Sequence, residues 1–347
     1  MWLLLGLASA AFGPGVLGTF VLDDFALSTI SHATRPLTGL TFLLPHNAGL
    51  HHGINIVLHL LSVAVAFRVF PLLLPERAAL IATGLFAVHP AMGESVNYIW
   101  ARATLLMTLF CLLCLDAWLK QKPWLATAFF VLALLSKTEC AALPIVLSLL
   151  RRDRRPVALM LACSLTAGAA VAYIASTTPG SQAGAQSAYT TLEYLSAQGS
   201  AIARYLRLYV FPYGFSIDPS VSLDVGMWLV VAAAAALRNR WLLFGLIVLL
   251  PSSSIFPADD LAADRRMYLP GVFFAAAAAQ YLQRIPASVI VLAVLTFASL
   301  QRTLLWNDPA GLWADAVHRA PELVRPRVWL ARVGPADEAR HHLLHAQ

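Results

Sequence analysis

The sequence predicts an all-α, polytopic membrane protein. Of its 347 residues, 59% are apolar and only 12% are charged, and the mean hydropathy is +0.71. The apolar residues are gathered into eleven segments, and the basic residues lie in short clusters between them. This composition excludes a soluble globular domain. Membrane topology also accounts for the net charge of +6, so we expect no nucleic acid partner.

A helix needs about 20 residues to cross the hydrocarbon core, and several of the segments are shorter than that. One neighbouring pair of segments is interrupted by the polar Ser136–Glu139, so it is either one kinked helix or two short helices meeting at a polar break. Cys111 and Cys114 lie within a segment and have no second cysteine pair, which favours packing over a metal or redox site. The apolar segments are 2–21, 51–74, 77–91, 100–119, 123–136, 139–150, 156–176, 225–237, 240–256, 267–283 and 287–304.

The basic residues predict the orientation. With a cytoplasmic N-terminus and eleven crossings, the clusters that include 68–77, 120–122, 151–155, 238–240 and 284 all face the cytoplasm, and the C-terminus is exoplasmic. We interpret segment 2–21 as a retained helix because it has no basic flank and no clear cleavage site. The Ala/Leu/Arg-rich composition favours a bacterial inner membrane, with the acidic residues facing the periplasm.

Two exoplasmic stretches and the tail differ from the spans. Residues 23–50 contain turn residues and aromatics, and residues 177–224 contain an amphipathic helix that a plain surface location would also explain. Residues 305–347 are polar and helical in pattern, similar to one tetratricopeptide unit, which must pack on the membrane domain or continue in a partner. His341, His342 and His345 in the tail have metal-like content, but they lack acidic ligands.

The chemistry is expected on the exoplasmic side. Asp23 and Asp24 follow the first apolar segment, where carboxylates are costly. One of two close carboxylates normally has a raised pKa and can act as a general base toward a hydroxyl. A pair that caps a helix end is the structural alternative.

Further polar groups accompany this pair. His89, Glu94 and Arg102 flank one span entrance, and an arginine beside a glutamate can bind a phosphate. Lys137 and Glu139 lie at the polar break. Asp264, Arg265, Arg266 and Tyr268 mark another span entrance, and His52, Asn55 and His59 form a polar stripe on the second span. Cations, carboxylates and broken helices together suit a transferase that uses a polyprenyl-phosphate donor.

The chain resembles the GT-C glycosyltransferase superfamily, and within it the protein O-mannosyltransferase-like branch with transmembrane and tetratricopeptide parts. The resemblance follows six motifs in chain order, none of them strong alone. They are Phe20–Asp24 with Arg35–Leu37, His52-x-x-Asn55-x-x-x-His59, His89-Pro90-x-x-x-Glu94-Ser95-Val96 with Arg102, Ser136-Lys137-x-Glu139, Asp264-Arg265-x-x-Tyr268-Leu269-Pro270, and Trp306-Asn307-Asp308.

The resemblance implies a GT-C catalytic domain over 1–304 and an exoplasmic tail over 305–347. It implies that the catalytic acidic residue, which acts as the general base, is Asp23 or Asp24. It also implies that the cations binding the donor phosphate are Arg102, Lys137 and Arg265. Supporting residues are His52, Asn55, His89, Glu94, Glu139, Asp264 and Tyr268. Relatives imply a metal-free base, whereas Asp23, Asp24, His51 and His52 are the ligands if a divalent ion is used. Asp264 replaces the usual glutamate, Arg266 replaces a common aromatic, and the tail is short.

The expected activity is sugar transfer, with mannose as one candidate, from a polyprenyl phosphate to a hydroxyl of a protein Ser/Thr or of a glycan. The alternatives are an oligosaccharide ligase, a lipid-linked sugar transporter or flippase, and a non-catalytic scaffold on the same core. The sequence leaves the sugar, the acceptor and the choice between Asp23 and Asp24 open.

Overall fold

The computed structural model describes residues 1–27, 32–179, 181, 183–253 and 255–334. Within these residues the chain is helical, and the only extended pairing is an isolated bridge between Ala183 and Ala258. The α-helices are α1 (Trp2–Phe12), α2 (Pro36–Thr41), α3 (Ala48–Val69), α4 (Glu76–Val88), α5 (Gly93–Asn97), α6 (Arg102–Leu119), α7 (Pro123–Ser136), α8 (Leu143–Leu150), α9 (Arg154–Thr177), α10 (Thr191–Val210), α11 (Trp228–Ala236), α12 (Arg240–Leu249), α13 (Tyr268–Leu282), α14 (Ser288–Trp306), α15 (Pro309–Arg319) and α16 (Val324–Val333).

Each of the eleven apolar segments contains a helix, but their lengths differ. Among the described residues, four helical stretches are long and apolar enough to cross a membrane: Ala48–Leu72, Ile99–Leu119, Arg154–Thr177 and Ser288–Trp306. A fifth crossing results if the pair Glu76–Val88 and Pro90–Asn97, bent by 48°, forms one span. The other apolar helices are shorter because prolines, glycines and polar breaks end them early; α1, for example, ends at Phe12 before Gly13 and Pro14.

The helices pack around α6, which is the most buried of the long helices. Small residues permit close approach between helices: a Cβ atom on Gly245 of α12 would lie 2.3 Å from a ring carbon of Phe274 in α13. By contrast, α9 and α14 leave most of their apolar surface outside the core. In a membrane protein such surfaces face lipid.

The interrupted segment forms two short helices that meet at a polar break. Helix α7 ends at Ser136, Lys137 adopts extended backbone, and a 3₁₀ turn over Thr138–Ala142 leads into α8. The Thr38 hydroxyl donates to the Ser136 carbonyl at 3.0 Å, so the first loop, residues 23–50, supplies a partner to one carbonyl freed at the break. The first loop is thereby attached to the break.

The amphipathic helix predicted within residues 177–224 is confirmed as α10. It begins with a capping box, in which Thr190 and Glu193 satisfy each other's backbone N–H groups. Tyr194, Ile202 and Tyr205 on one face are buried against the core, so α10 is more deeply packed than a plain surface helix.

The tail packs on the membrane domain. Helices α15 and α16 contact each other, and Trp313 and Leu330 join Tyr98 and Trp306 in a small apolar cluster. This packing explains how a helix pair too small to fold alone is stabilised. His341, His342 and His345, which have metal-like content in the sequence, lie outside the described residues.

Candidate functional site

A cavity of about 540 Å³ lies where the first loop, the polar break, the segment before α13 and the tail meet. Its lining carries nine charged side chains from positions far apart in the sequence. They are the carboxylates Asp23, Glu139, Asp259 and Asp260 and the cations Arg35, Lys137, Arg265, Arg266 and Arg325. Of the predicted site residues, the structure therefore brings Asp23, Lys137, Glu139 and Arg265 together.

The two adjacent aspartates point to different environments. Leu22, just before them, has a φ of +52°, a left-handed conformation that is uncommon for leucine and typical of functional turns. A 3₁₀ turn over Leu22–Ala26 follows. It leaves Asp23 exposed and lining the cavity, whereas Asp24 is completely buried and does not line it.

Asp24 is anchored by backbone donors. The Trp100 N–H donates to its Oδ1 at 2.8 Å, and the Val21 N–H donates to its Oδ2 at 3.1 Å. Burial raises the pKa of Asp24 to about 8, even though these N–H donors act in the opposite direction. Both oxygens are engaged, so Asp24 fixes the first loop to the segment before α6 and does not offer a free base.

Asp23 is held by a single side chain, Tyr98. The Tyr98 hydroxyl donates to Asp23 Oδ2 at 2.9 Å and accepts from the Asp23 N–H at 3.3 Å. Within the described part of the chain, nothing hydrogen-bonds to Asp23 Oδ1. One carboxylate oxygen is thus fixed and the other is available to a hydroxyl in the cavity.

Arg265 lies between two carboxylates. Its guanidinium contacts Glu94 Oε1 at 2.7 Å and Asp260 Oδ2 at 2.8 Å, and its backbone N–H donates to Glu94 Oε2 at 3.1 Å. Burial acts to lower the pKa of Arg265, but the charges of Glu94 and Asp260 outweigh it and hold this pKa above its usual range. Asp260 also contacts Arg325 of the tail at 2.8 Å, so one carboxylate joins Arg265 to α16.

Lys137 is presented by the polar break. Its ammonium contacts Glu139 Oε1 at 2.8 Å and donates to the Thr104 hydroxyl of α6 at 2.9 Å. The extended backbone at Lys137 turns its side chain away from the axis of α7 and toward the cavity. The broken helix therefore adds a cation to the site.

Three further cations that were not among the expected donor-phosphate cations line the cavity: Arg35, Arg266 and Arg325. Arg35, immediately before α2, stacks over Trp100 with its Cζ 5.8 Å from the ring centroid, and among the described residues its guanidinium has no ion-pair or hydrogen-bond partner. Arg266 donates to the Asp260 carbonyl at 2.8 Å and forms no ion pair within the described ranges. The Arg35–Leu37 motif of the family resemblance includes Arg35, so the sequence did indicate this residue, whereas composition alone would not.

Arg102 does not line the cavity. It is completely buried, where it donates to Asn55 Oδ1, to the Thr41 carbonyl, and to both Nδ1 and the carbonyl of His51, each at 2.9–3.0 Å. These bonds use up its donors, so the structure differs from the expectation of a phosphate ligand. Position at a helix entrance predicted a polar role, but sequence could not show that α3 and the end of α2 would supply all the acceptors.

The remaining predicted residues lie in buried networks around the cavity. Asp264 is ion-paired with Arg204, and Tyr268 is 2.7 Å from His59 Nδ1. His89 stacks on Tyr209 with ring centroids 4.2 Å apart, and Asn55 donates to the Tyr98 carbonyl at 3.0 Å. His52 Nε2 is 3.2 Å from the Thr19 carbonyl. Of the supporting residues only Glu139 lines the cavity; Glu94 reaches it through Arg265, and the others hold the loops that carry the site.

The four residues considered as metal ligands do not converge. Asp24 is engaged by backbone donors, His51 by Arg102 and His52 by Thr19, and only Asp23 lines the cavity. Within the described ranges no group of three histidine, cysteine or acidic side chains has metal-binding geometry. The donor set at the cavity therefore does not fit a divalent ion held by these four residues.

Chemically, the cavity places the free carboxylate oxygen of Asp23 together with five cations. A carboxylate oxygen can accept a proton from a hydroxyl, and guanidinium and ammonium groups can bind a phosphate bidentately or as point charges. The arrangement thus suits a reaction that activates a hydroxyl and expels a phosphate.

Comparison with curated proteins gives partial similarities to protein O-mannosyl-transferases. The chain is 37% identical over 93 residues to protein O-mannosyl-transferase TMTC3 of Mus musculus, which is 25% of this chain and 10% of that protein. It is 36% identical over 104 residues to protein O-mannosyl-transferase Tmtc1 of Drosophila melanogaster, 27% of this chain and 12% of that protein. It is 38% identical over 122 residues to protein O-mannosyl-transferase TMTC4 of Mus musculus, 28% of this chain and 16% of that protein.

These matches cover about a sixth or less of each relative's length, so the chain spans a small part of them. No family model matches the chain, and no solved structure matches it. The similarities are thus confined to a part of proteins named as protein O-mannosyl-transferases, and the long apolar helices indicate a membrane protein.

Proposed function

We propose that the chain is a membrane glycosyltransferase of the GT-C type. It moves a sugar, with mannose as the first candidate, from a polyprenyl-phosphate donor to a hydroxyl of a protein Ser/Thr or of a glycan. The observation that carries this proposal is that Asp23 shares one cavity with Arg35, Lys137, Arg265 and Arg266. The proposed architecture has about eleven crossings, a catalytic domain over 1–304, a tetratricopeptide-like tail over 305–347 and a site on the exoplasmic face, with a cytoplasmic N-terminus.

In the proposed reaction Asp23 is the general base. Its free Oδ1 accepts the proton of the acceptor hydroxyl as that oxygen bonds to the anomeric carbon of the sugar. The bond between the anomeric carbon and the phosphate oxygen breaks at the same time, and its electron pair leaves with the polyprenyl phosphate. Asp24 does not take part, because backbone N–H groups engage both of its oxygens.

The cations stabilise the charge that develops on the leaving phosphate. Arg35 and Arg266 carry no ion pair within the described ranges, and Lys137 and Arg265 are shared with carboxylates that a phosphate can replace in part. This set replaces Arg102, which keeps a positioning role through His51 and Asn55. No step requires a metal ion.

Sugar transfer in proteoliposomes tests the proposal. The purified protein is given a series of polyprenyl-phosphate sugars, and both the glycosylated product and the binding of the donor are measured. We expect Asp23→Asn to lower transfer by a factor of about 10² or more with donor binding retained. The control is Asp153→Asn, which removes a carboxylate from the arginine-rich loop before α9 and leaves transfer unchanged.

Two outcomes would contradict the proposal. Full transfer by Asp23→Asn would remove the base from the mechanism. Movement of the intact donor across the bilayer without transfer of its sugar would favour the transporter alternative.

A further inference from the structure

We propose that the exposed turn at Gly214 binds the phosphate headgroup of an anionic membrane lipid between Arg207 and Arg319. This turn follows the end of α10 and lies against the end of α15, outside the cavity described above. The proposal concerns attachment of the second exoplasmic stretch and the tail to the membrane surface. It does not depend on the proposed catalytic activity.

The first argument is geometric. Gly214 has a φ of +93°, a conformation that favours glycine. A Cβ atom at this position would lie 3.4 Å from Arg207 Nη2 and 3.7 Å from Arg319 Nη1, so both guanidinium groups approach the same point above the turn. The Gly214 carbonyl accepts from Arg204 at 3.0 Å, which fixes the turn from below.

The second argument is electrostatic. Arg204 is neutralised by Asp264, and Asp315 is shared between Arg302 at 3.0 Å and Arg319 at 2.8 Å. Arg207 donates to the Tyr213 carbonyl at 3.2 Å and has no carboxylate partner among the described residues. These four arginines and two aspartates thus leave two positive charges in excess. Because the guanidinium groups of Arg207 and Arg319 approach the same point, they repel each other unless an anion lies between them.

The third argument identifies the source of the anion. Val210, Phe211 and Tyr213, which flank the arginines, expose 68%, 67% and 76% of their surface. The Arg319 guanidinium lies over the Tyr213 ring with its Cζ 5.3 Å from the centroid. Exposed aromatic and apolar side chains beside arginines are typical of the membrane–water interface, where a headgroup phosphate lies next to acyl chains. A lipid satisfies both parts of this surface, whereas free phosphate satisfies only the cations.

Lipid binding to the purified full chain tests the inference. The protein is mixed with vesicles of phosphatidylglycerol, with vesicles of phosphatidylcholine, or with inorganic phosphate, and binding is measured by native mass spectrometry and by thermal stabilisation. We expect phosphatidylglycerol to bind and stabilise, and Arg207→Gln/Arg319→Gln to weaken its binding about tenfold or more. The matched control Arg327→Gln/Arg332→Gln removes two other arginines of the tail, the half-buried Arg327 and the exposed Arg332, and keeps the binding.

A second variant keeps the test valid if the double glutamine variant folds poorly. Arg207→Lys/Arg319→Lys retains both charges but loses the guanidinium fork, and we expect severalfold weaker binding. Equal binding of phosphatidylglycerol by the wild type and both Arg207/Arg319 double variants would overturn the inference. Equal stabilisation by inorganic phosphate alone would also overturn it, because the site would then be a simple anion site.

Discussion

The Tyr98 hydroxyl holds Asp23 at two points, donating to its Oδ2 and accepting from its backbone N–H. Tyr98 is itself held by Asn55, whose side-chain amide donates to the Tyr98 carbonyl at 3.0 Å. Its ring also stacks on Trp306, with ring centroids 6.0 Å apart and 28° between the ring planes. Asn55 in turn accepts from Arg102 at 2.9 Å. The buried polar stripe of α3 therefore fixes the orientation of the proposed base through one tyrosine.

We expect Tyr98→Phe to reduce turnover without weakening donor binding. The ring and its packing remain, but Asp23 loses the hydroxyl that holds its carboxylate in place. Transfer assays should show a fall in kcat of about tenfold with an unchanged KM for the donor.

The control for this variant is Tyr209→Phe, which also removes a buried tyrosine hydroxyl, one that donates to the Gly271 carbonyl at 3.3 Å. It should lower the melting temperature and leave kcat and the donor KM at their wild-type values. A Tyr98→Phe enzyme with the wild-type kcat would show that Tyr98 has a packing role alone.

Arg35→Gln should weaken donor binding more than it slows the reaction of the bound donor. The Arg35 guanidinium lines the cavity without a carboxylate partner in the described ranges, so a phosphate can bind it without displacing another group. Titration with a polyprenyl phosphate should give a Kd raised about tenfold, or about 1.4 kcal/mol, which is near the lower end of the range for a hydrogen bond to a charged group.

Arg68→Gln is the matched comparison for Arg35, because it removes an arginine that does not line the cavity. The Arg68 guanidinium contacts Asp116 Oδ2 at 3.0 Å. Its Kd should equal that of the wild type. If Arg35→Gln also bound the phosphate normally, Arg35 would be removed from the proposed donor site.

The outline of the fold could be predicted because hydropathy depends on local sequence. Each apolar segment contains a helix, and the polar break at Ser136–Glu139 separates two of them. Helix lengths were less predictable, since tertiary packing and breakers such as Gly13 and Pro14 decide where an apolar run stops being helical. The segment 2–21 therefore contains a helix that ends at Phe12.

The site was predictable in part for a related reason. Charged residues at exoplasmic helix ends could be selected from the sequence, and Asp23, Lys137 and Arg265 do line one cavity. Whether a selected charge faces the cavity or a buried partner depends on side chains distant in sequence. Arg102 meets acceptors on α3, 47 to 51 residues away, and Asp24 meets the Trp100 N–H 76 residues away.

Arg102→Gln should act on stability and not on donor affinity. The substitution leaves the buried Asn55 Oδ1 and His51 carbonyl without their donor, which costs on the order of 3 kcal/mol for a buried charged hydrogen-bond network. We expect a lower melting temperature in detergent and a smaller folded fraction. Donor Kd, measured on the folded fraction, should stay at the wild-type value. A large loss of donor affinity with unchanged stability would instead return Arg102 to the phosphate site.

Asp24 should make the protein less stable as the pH rises. Burial raises the pKa of Asp24 to about 8 in the folded chain, above its ordinary value of 3.8. Between these values the folded state retains a proton that the unfolded state has released, so the free energy of unfolding falls with pH by up to about 1.4 kcal/mol per pH unit. Its contribution is complete below about pH 4 and is lost as the pH passes through about 8.

Melting temperatures of the wild type and of Asp24→Asn, measured in detergent from pH 5 to pH 9, isolate this contribution. The wild type should lose stability more steeply than the variant across this range, because the asparagine carries no titrating proton. If the melting temperatures of the wild type and the variant changed equally with pH, Asp24 would be ionised in the folded protein. The effect of its backbone N–H donors on its pKa would then outweigh the effect of burial.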